Sequence, residues 1–459
     1  VIKFALVVSM LPAVLAGQVL EAHVVTLFPG LSVAFKVDPL SIFFALTASF
    51  LWIVTSCYSI AYVRAEREHK QTRYFMCFAV ALSATIGVAF AANLLTMFVC
   101  YEVLTLCTFP LVGHKETEEA LAGARRYLTY LLGTSLSFLM AAVVLTYHAA
   151  GTLDFKAGGI LAGHGSPLFL TILFVLFIAG TTKAALMPLH SWLPAAMVAP
   201  TPVSALLHAV AVVKSGVFVV VKVVLYVFGT GLLDDLGLGT ALAYVAAFTI
   251  IVASTIALKQ DNLKARLAYS TISQLSYIVL GAALLTPSAV LGSIMHIVIH
   301  AFGKITLFFV AGAIYVASHK KNISELDGIG RKMPFTMGAF AVAAVSMIGI
   351  PPLGGFISKW YLARGAIEAG QLPILAVLAG STVLNACYFL PIVHRAFFRK
   401  PPGMSGTADS NEGGLVEAPT MMVAALTVTA LGAIALFFVP DLFLRLAQMV
   451  VVATTGGDQ

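Results

Sequence analysis

Residues 180–209 read GTTKAALMPLHSWLPAAMVAPTPVSALLHA. Lys183 follows an unbroken apolar run, TILFVLFIAG at 171–180, and Pro188 and Pro194 follow the lysine. A charge at mid-bilayer costs ~2.5–3.5 kcal/mol on insertion scales, so it needs a reason to be there. Proline removes a backbone donor and interrupts the helical ladder. Together they predict a transmembrane helix broken near mid-membrane. The pattern returns at 349–360, GIPPLGGFISKW, where Lys359 follows Pro351, Pro352, Gly354 and Gly355.

The rest of the chain fits that reading. Apolar residues make up 60% of the 459 and charged residues 10%, against roughly 25% charged in a soluble domain. Mean hydropathy is +0.98. Runs of about 20 apolar residues, enough to cross a ~30 Å hydrocarbon core, recur throughout. The net charge of +7 lies in short loops, so it reports topology and not nucleic-acid binding. Cys57, Cys77, Cys100, Cys107 and Cys387 lack metal-type spacing and read as small buried apolar residues.

The fold class is all-α integral membrane, with thirteen hydrophobic helices expected over 1–20, 38–63, 74–92, 94–113, 127–149, 167–190, 201–228, 239–257, 267–285, 288–317, 334–369, 373–397 and 420–450. One set of alternate loops (64–73, 114–126, 258–266, 318–333, 395–400) carries seventeen Lys and Arg, the opposite set Lys36 and Lys156. The positive-inside rule places the first set in the cytoplasm, with the C-terminus outside. The two interrupted helices hold equivalent places in two five-helix blocks. Because five is odd, the second block inserts upside down, the arrangement that marks an ion path at a repeat interface. The chain therefore divides into N-terminal helices (1–73), a first inverted half-channel (74–238), a second (239–400), and a cytoplasmic loop with a final helix (401–459).

The deep titratable residues define the candidate site. Glu102, in FVCYEVLTLCTFPLV, is the one acid deep within a span; Lys183, Lys214, Lys304 and Lys359 are the deep bases. Lys222 lies eight residues after Lys214, on nearly the same helix face, and is a secondary candidate. His296, His300 and Lys304 recur every four residues and line one face; His208 lies on a face adjacent to Lys214. A structural ion pair between Glu102 and Lys183 is the bland reading. Against it, several lysines share one carboxylate, and buried amines without a counter-charge exchange protons near neutral pH. Moving Glu102 relative to Lys183 would make a switchable site: a unit pair at 4 Å and an effective dielectric of about 20 is worth ~4 kcal/mol, about a thousandfold in proton occupancy.

No metal is expected, because no deep carboxylate or cysteine completes a site beside the His pair on its helix. No buried nucleophile pairs with a base, so covalent catalysis has no support, and no cofactor is expected. Na⁺ wants several oxygen ligands, which do not surround Glu102. The residues argue for protons, with Na⁺ as a second candidate cargo. A stand-alone solute transporter and a purely structural membrane scaffold remain open on the residues alone.

The segments at 180–209, 98–112, 295–309 and 349–360 resemble the antiporter-like membrane subunits, the family uniting Mrp sodium/proton antiporter subunits with the large proton-pumping subunits of respiratory complex I. The resemblance runs from about Val37 to the final helix, and PTPVSALLHA with GIPPLGGFISKW is most similar to the D-type subunit of Mrp antiporters. It implies that Glu102 and Lys183 are the family's essential pair, that Lys214 belongs to a central hydrophilic axis, that His300 and Lys304 link two half-channels, and that Lys359 stands in the second broken helix. It also implies homologous hydrophobic partner subunits, no enzyme activity of the chain by itself, and a multi-pass place in a bacterial or archaeal inner membrane. Family members carry fourteen helices, so a further helix is expected before Val1. Complex I, membrane-bound hydrogenases and inorganic-carbon uptake complexes are the alternative settings.

Overall fold

A computed structural model describes residues 1–28, 31–400 and 415–456. The helices are α1 (Ile2–Leu15), α2 (Pro39–Ala65), α3 (Gln71–Phe90), α4 (Leu94–Val112), α5 (Glu118–Ala150), α6 (Pro167–Gly180), α7 (Thr201–Phe228), α8 (Leu238–Lys259), α9 (Leu263–Ala283), α10 (Pro287–Ser318), α11 (Pro334–Ile348), α12 (Gly355–Glu368), α13 (Leu372–Phe398), α14 (Thr420–Phe438) and α15 (Asp441–Thr455). Nine helices among the described residues are long and apolar enough to cross a membrane.

Two helices form the centre. The most apolar stretches of α7 and α10 are wholly buried within the protein. Helix α10 packs against α2, α7, α9, α11, α12, α14 and α15. Glycines let backbones close in, as membrane helix interfaces require without a hydrophobic driving force. A Cβ on Gly292 of α10 would stand 2.8 Å from the Leu362 nitrogen of α12, and one on Gly303 would strike the Met347 methyl of α11. The Tyr58 hydroxyl of α2 donates to Phe309 O at 2.7 Å, fixing α2 against α10.

Several sequence expectations need correction. Two strands, β1 (Leu20–Phe28) and β2 (Leu31–Val37), pair antiparallel where the first span and its following loop were expected. The pair is tied to the α3–α4 junction through Ala92 N to Ala34 O at 3.0 Å and Asn93 Nδ2 to Ser32 O at 2.8 Å. The single helix expected over 420–450 is two, parted at Val439–Pro440, because Pro440 cannot continue the ladder. The first broken helix ends at Gly180, ahead of both prolines. The cause is local: a 3₁₀ turn spans Thr182–Ala184, Ala185 is left-handed (φ 57°), and the Trp192 ring N–H takes the freed Thr182 carbonyl at 3.0 Å. The second break falls where expected, between α11 and α12, at left-handed Gly349 (φ 91°). Cys57 and Cys387 are exposed on outward helix faces, not buried. The connection at 401–414 lies outside the described residues.

Candidate functional site

Each titratable side chain is placed by a specific local structure. Glu102 sits on α4, almost fully buried, and among the described residues neither carboxylate oxygen has a hydrogen-bond partner. Beside it Ser135 opens a π-helical turn, Ser135–Leu139, within α5, but the Ser135 hydroxyl donates to Leu131 O at 2.7 Å. Wide turns of this kind gather at functional positions.

Lys183 makes no direct ion pair with Glu102, the bland reading of the two residues. Its ammonium donates to Tyr101 O at 2.8 Å and Thr105 Oγ1 at 2.7 Å, and lies 3.0 Å from the centre of the Tyr101 ring. Positions 101 and 105 are stacked one turn apart on one face of α4, and 102 is turned about 100° away. The amine therefore binds the face next to Glu102, within electrostatic reach of the carboxylate but without contact. Gly216 of α7 makes this placement possible, since a Cβ there would collide with the Lys183 carbonyl carbon and Ala184 nitrogen.

Helix α7 carries the next groups. His208 lies in a π-helical turn, Leu206–Val210, with its ring 4.8 Å from Phe308 of α10. Among the described residues His208, Lys214 and the adjoining Ser215 hydroxyl have no hydrogen-bond partner. Lys222 is different: its ammonium meets Asp38 Oδ2 at 2.9 Å, and both side chains are buried. Asp38 is also the N-cap of α2, accepting from Ser41 N at 2.7 Å. Lys222 thus belongs to a buried ion pair, and Asp38 is a second buried acid that the span reading missed.

On α10, His296, His300 and Lys304 share a face as expected. The His296 nitrogens contact Ser358 Oγ at 2.8 Å and Gln274 Oε1 at 3.0 Å, so this residue joins α10 to α12 and α9. His300 has no hydrogen-bond partner among the described residues and lies within electrostatic reach of Lys214, Lys304, His296 and His208. Lys304 donates to Ser270 Oγ at 2.6 Å and Leu267 O at 3.3 Å, and Ser270 continues to the Tyr388 hydroxyl at 2.9 Å. His296 in turn is within reach of Lys359.

Lys359 caps the broken end of α11. Its ammonium donates to Met347 O at 3.0 Å and Ile348 O at 2.8 Å, carbonyls that the helix end leaves without internal partners. A cation at a helix C-terminus is also favoured by the helix dipole. A cavity of about 220 Å³ bordered by Tyr277, Phe356 and Trp360 reaches this lysine from the protein surface. Lys264, at the start of α9, is a half-buried lysine that sequence reasoning passed over; it donates to Ala199 O at 2.6 Å. Its place in a loop-flanked, basic segment concealed it.

The groups fall into neighbourhoods within electrostatic reach: Glu102 with Lys183; His208, Lys214, His300 and Lys304 together; and His296, which reaches Lys214 on one side and Lys359 on the other. Lys214, His208 and His300 are buried without protein partners among the described residues. Such groups are costly unless water or a transferable proton meets them.

The description NADH:quinone oxidoreductase/Mrp antiporter, transmembrane, matches residues 91–385. The chain is 32% identical over 418 residues to NADH-quinone oxidoreductase subunit N of Desulforudis audaxviator, covering 89% of this chain and 82% of that protein. It is 32% identical to the A/B subunit of a probable K(+)/H(+) antiporter from Rhizobium meliloti, over 87% of this chain but 40% of that protein. A chain of the Mrp complex from Dietzia sp. DQ12-45-1b superposes with a TM-score of 0.85 at 22% identity, covering 98% of this chain and 90% of that one. The chain is a multi-pass membrane protein and belongs to the NADH:quinone oxidoreductase/Mrp antiporter transmembrane family.

Proposed function

We propose that this chain is a proton-translocating subunit of a multisubunit cation/proton antiporter in a bacterial or archaeal inner membrane. The observation that carries the reading is the row of largely buried titratable groups on α4, on the turn after α6, and on α7, α10 and α12, four of which (Glu102, His208, Lys214 and His300) have no hydrogen-bond partner among the described residues. Protons load at Lys183 or Lys214, pass through His300 and Lys304, and leave by Lys359, where the surface cavity opens. The halves 74–238 and 239–400 act as two half-channels, inverted with respect to each other, and each contributes one broken helix. Glu102 gates loading: with Lys183 held on Tyr101 and Thr105, the carboxylate is free to approach or withdraw. Na⁺ crosses elsewhere in the complex, because Glu102 lacks the oxygen-rich surroundings Na⁺ requires.

The test is proton flux in vesicles carrying the assembled complex. Lys183→Ala and Lys359→Ala should each abolish coupled flux, and full transport by both would overturn the mechanism. A second reading, a proton-pumping part of a redox complex, is favoured by the match over 82% of the NADH-quinone oxidoreductase relative. Flavin and iron–sulfur proteins co-purifying with the chain would select it.

A further inference from the structure

The loop after α2 and the loop after α4 bring together Glu68, His69 and His114, which the proton row does not use. One ligand atom from each lies within 4.8 Å of the others. His114 Nε2 stands 3.7 Å from Glu68 Oε2, and the His69 and His114 rings stack at 4.9 Å between centres. His114 is fully buried, yet neither ring nitrogen has a hydrogen-bond partner among the described residues. His69 is 44% exposed and leaves one side of the cluster open. Of the neighbouring charges, Lys70 and Arg73 engage Glu116 at 2.7 Å and 2.8 Å, His69 Nε2 lies 3.8 Å from Glu116 Oε2, and Lys115 lies within electrostatic reach of Glu68.

We propose that Glu68, His69 and His114 form a site for one divalent transition-metal ion of the zinc class. Two imidazoles and a carboxylate suit such ions, and three protein ligands leave a fourth position for water. Ligands about 2.1 Å from a tetrahedral ion stand roughly 3.4 Å apart. The 3.7 Å pair is nearly there, and the half-exposed His69 side chain can turn to complete the set. The ion would join the ends of α2 and α4, the second of which carries Glu102.

The test is titration of the purified full-length protein, stripped with chelator, with Zn²⁺ by calorimetry and with Co²⁺ by visible absorption. We expect one equivalent bound, and at least tenfold weaker binding in His69→Ala and in His114→Ala. His23→Ala, on the exposed strand β1, should bind as wild type. His69→Ala keeps the test valid if the buried His114→Ala variant fails to fold. The proposal is overturned if the wild type binds no ion, or if His69→Ala binds as tightly as wild type. Neither outcome bears on the proton row.

Discussion

Replacing Asp38 with Asn isolates the buried ion pair. Asn caps a helix about as well as Asp, so the bond from Ser41 N at 2.7 Å survives. What disappears is the charge opposite Lys222 at 2.9 Å. At an effective dielectric of 20 the lost attraction is about 6 kcal/mol. The Asn carbonyl still accepts from the ammonium, retaining roughly 2 kcal/mol. The expected destabilisation is therefore about 4 kcal/mol, within the ~3–5 kcal/mol typical when one partner of a buried pair is removed. Lys222 also faces the rings of Tyr226 (4.7 Å) and Phe155 (5.1 Å), contacts common to both proteins. Asp38→Asn/Lys222→Met removes both charges and places a thioether among those rings, which should return stability to within about 1 kcal/mol of wild type. Unfolding in mixed detergent reads the stabilities, and proton flux in vesicles reads transport. If the pair serves only to hold α2 to α7, the double variant should keep its flux. A single variant within about 0.5 kcal/mol of wild type, or a folded double variant without flux, would refute the reasoning.

Three other perturbations probe separate parts of the molecule. Gly216→Val drives a side chain into the Lys183–Ala184 backbone; overpacking of this kind costs about 1–3 kcal/mol, and flux should fall more than thermal stability does. Ser270→Ala removes the 2.6 Å acceptor of Lys304, a charge-assisted bond worth about 1.5–3 kcal/mol, and should lower both unfolding stability and flux, with Ser270→Thr restoring them. Outside the membrane, Lys70 and Arg73 hold the Glu116 carboxyl down at about 2, from an ordinary 4.5. A depressed carboxyl stabilises the fold above its unfolded value and ceases to as pH falls through the folded one. Protection factors in loops 64–73 and 113–117, exchange corrected for its intrinsic pH dependence, should therefore fall between pH 4.5 and 2, and Glu116→Gln should remove that loss.

The identities of the buried groups were legible because insertion cost is local: a lysine within twenty apolar residues is conspicuous wherever it pairs. Lys183, Lys214, Lys304 and Lys359 were found this way. The two helices that hold most of the row, α7 and α10, were also bounded closely by their lengths. Pairing was not legible. Asp38 and Lys222 meet across 184 positions, and Asp38 sits before Pro39 at what reads as a span edge. The strands at 20–28 and 31–37 did carry a period of two, with Leu31, Val33, Phe35 and Val37 alternating with Ser32, Ala34 and Lys36, but a reading for twenty-residue apolar spans passes over so short a signal. The split at Pro440 did carry a signal, a Pro–Asp pair ahead of an apolar helix, which span length alone overran.

The separation of Glu102 from Lys183 bears on why a transporter would use this geometry. A direct pair at 4 Å would favour the ammonium by ~4 kcal/mol and hold its proton through each cycle. Here Tyr101 O and Thr105 Oγ1 satisfy the ammonium with neutral acceptors. The site is thus occupied without being locked. The carboxylate, one residue along the same helix, has no hydrogen-bond partner among the described residues, so no protein bond must break before it moves. A rotation of α4, or a rotamer change at Glu102, would then alter the field on Lys183 while the amine keeps its acceptors. Tyr101 and Thr105 are therefore positioning residues that set the resting distance. Thr105→Val should let the ammonium swing toward Glu102 and form the pair. The expected result is a more stable protein with slower proton release, read as a raised unfolding temperature together with reduced flux. Unchanged flux in Thr105→Val would show that the resting separation plays no part in gating.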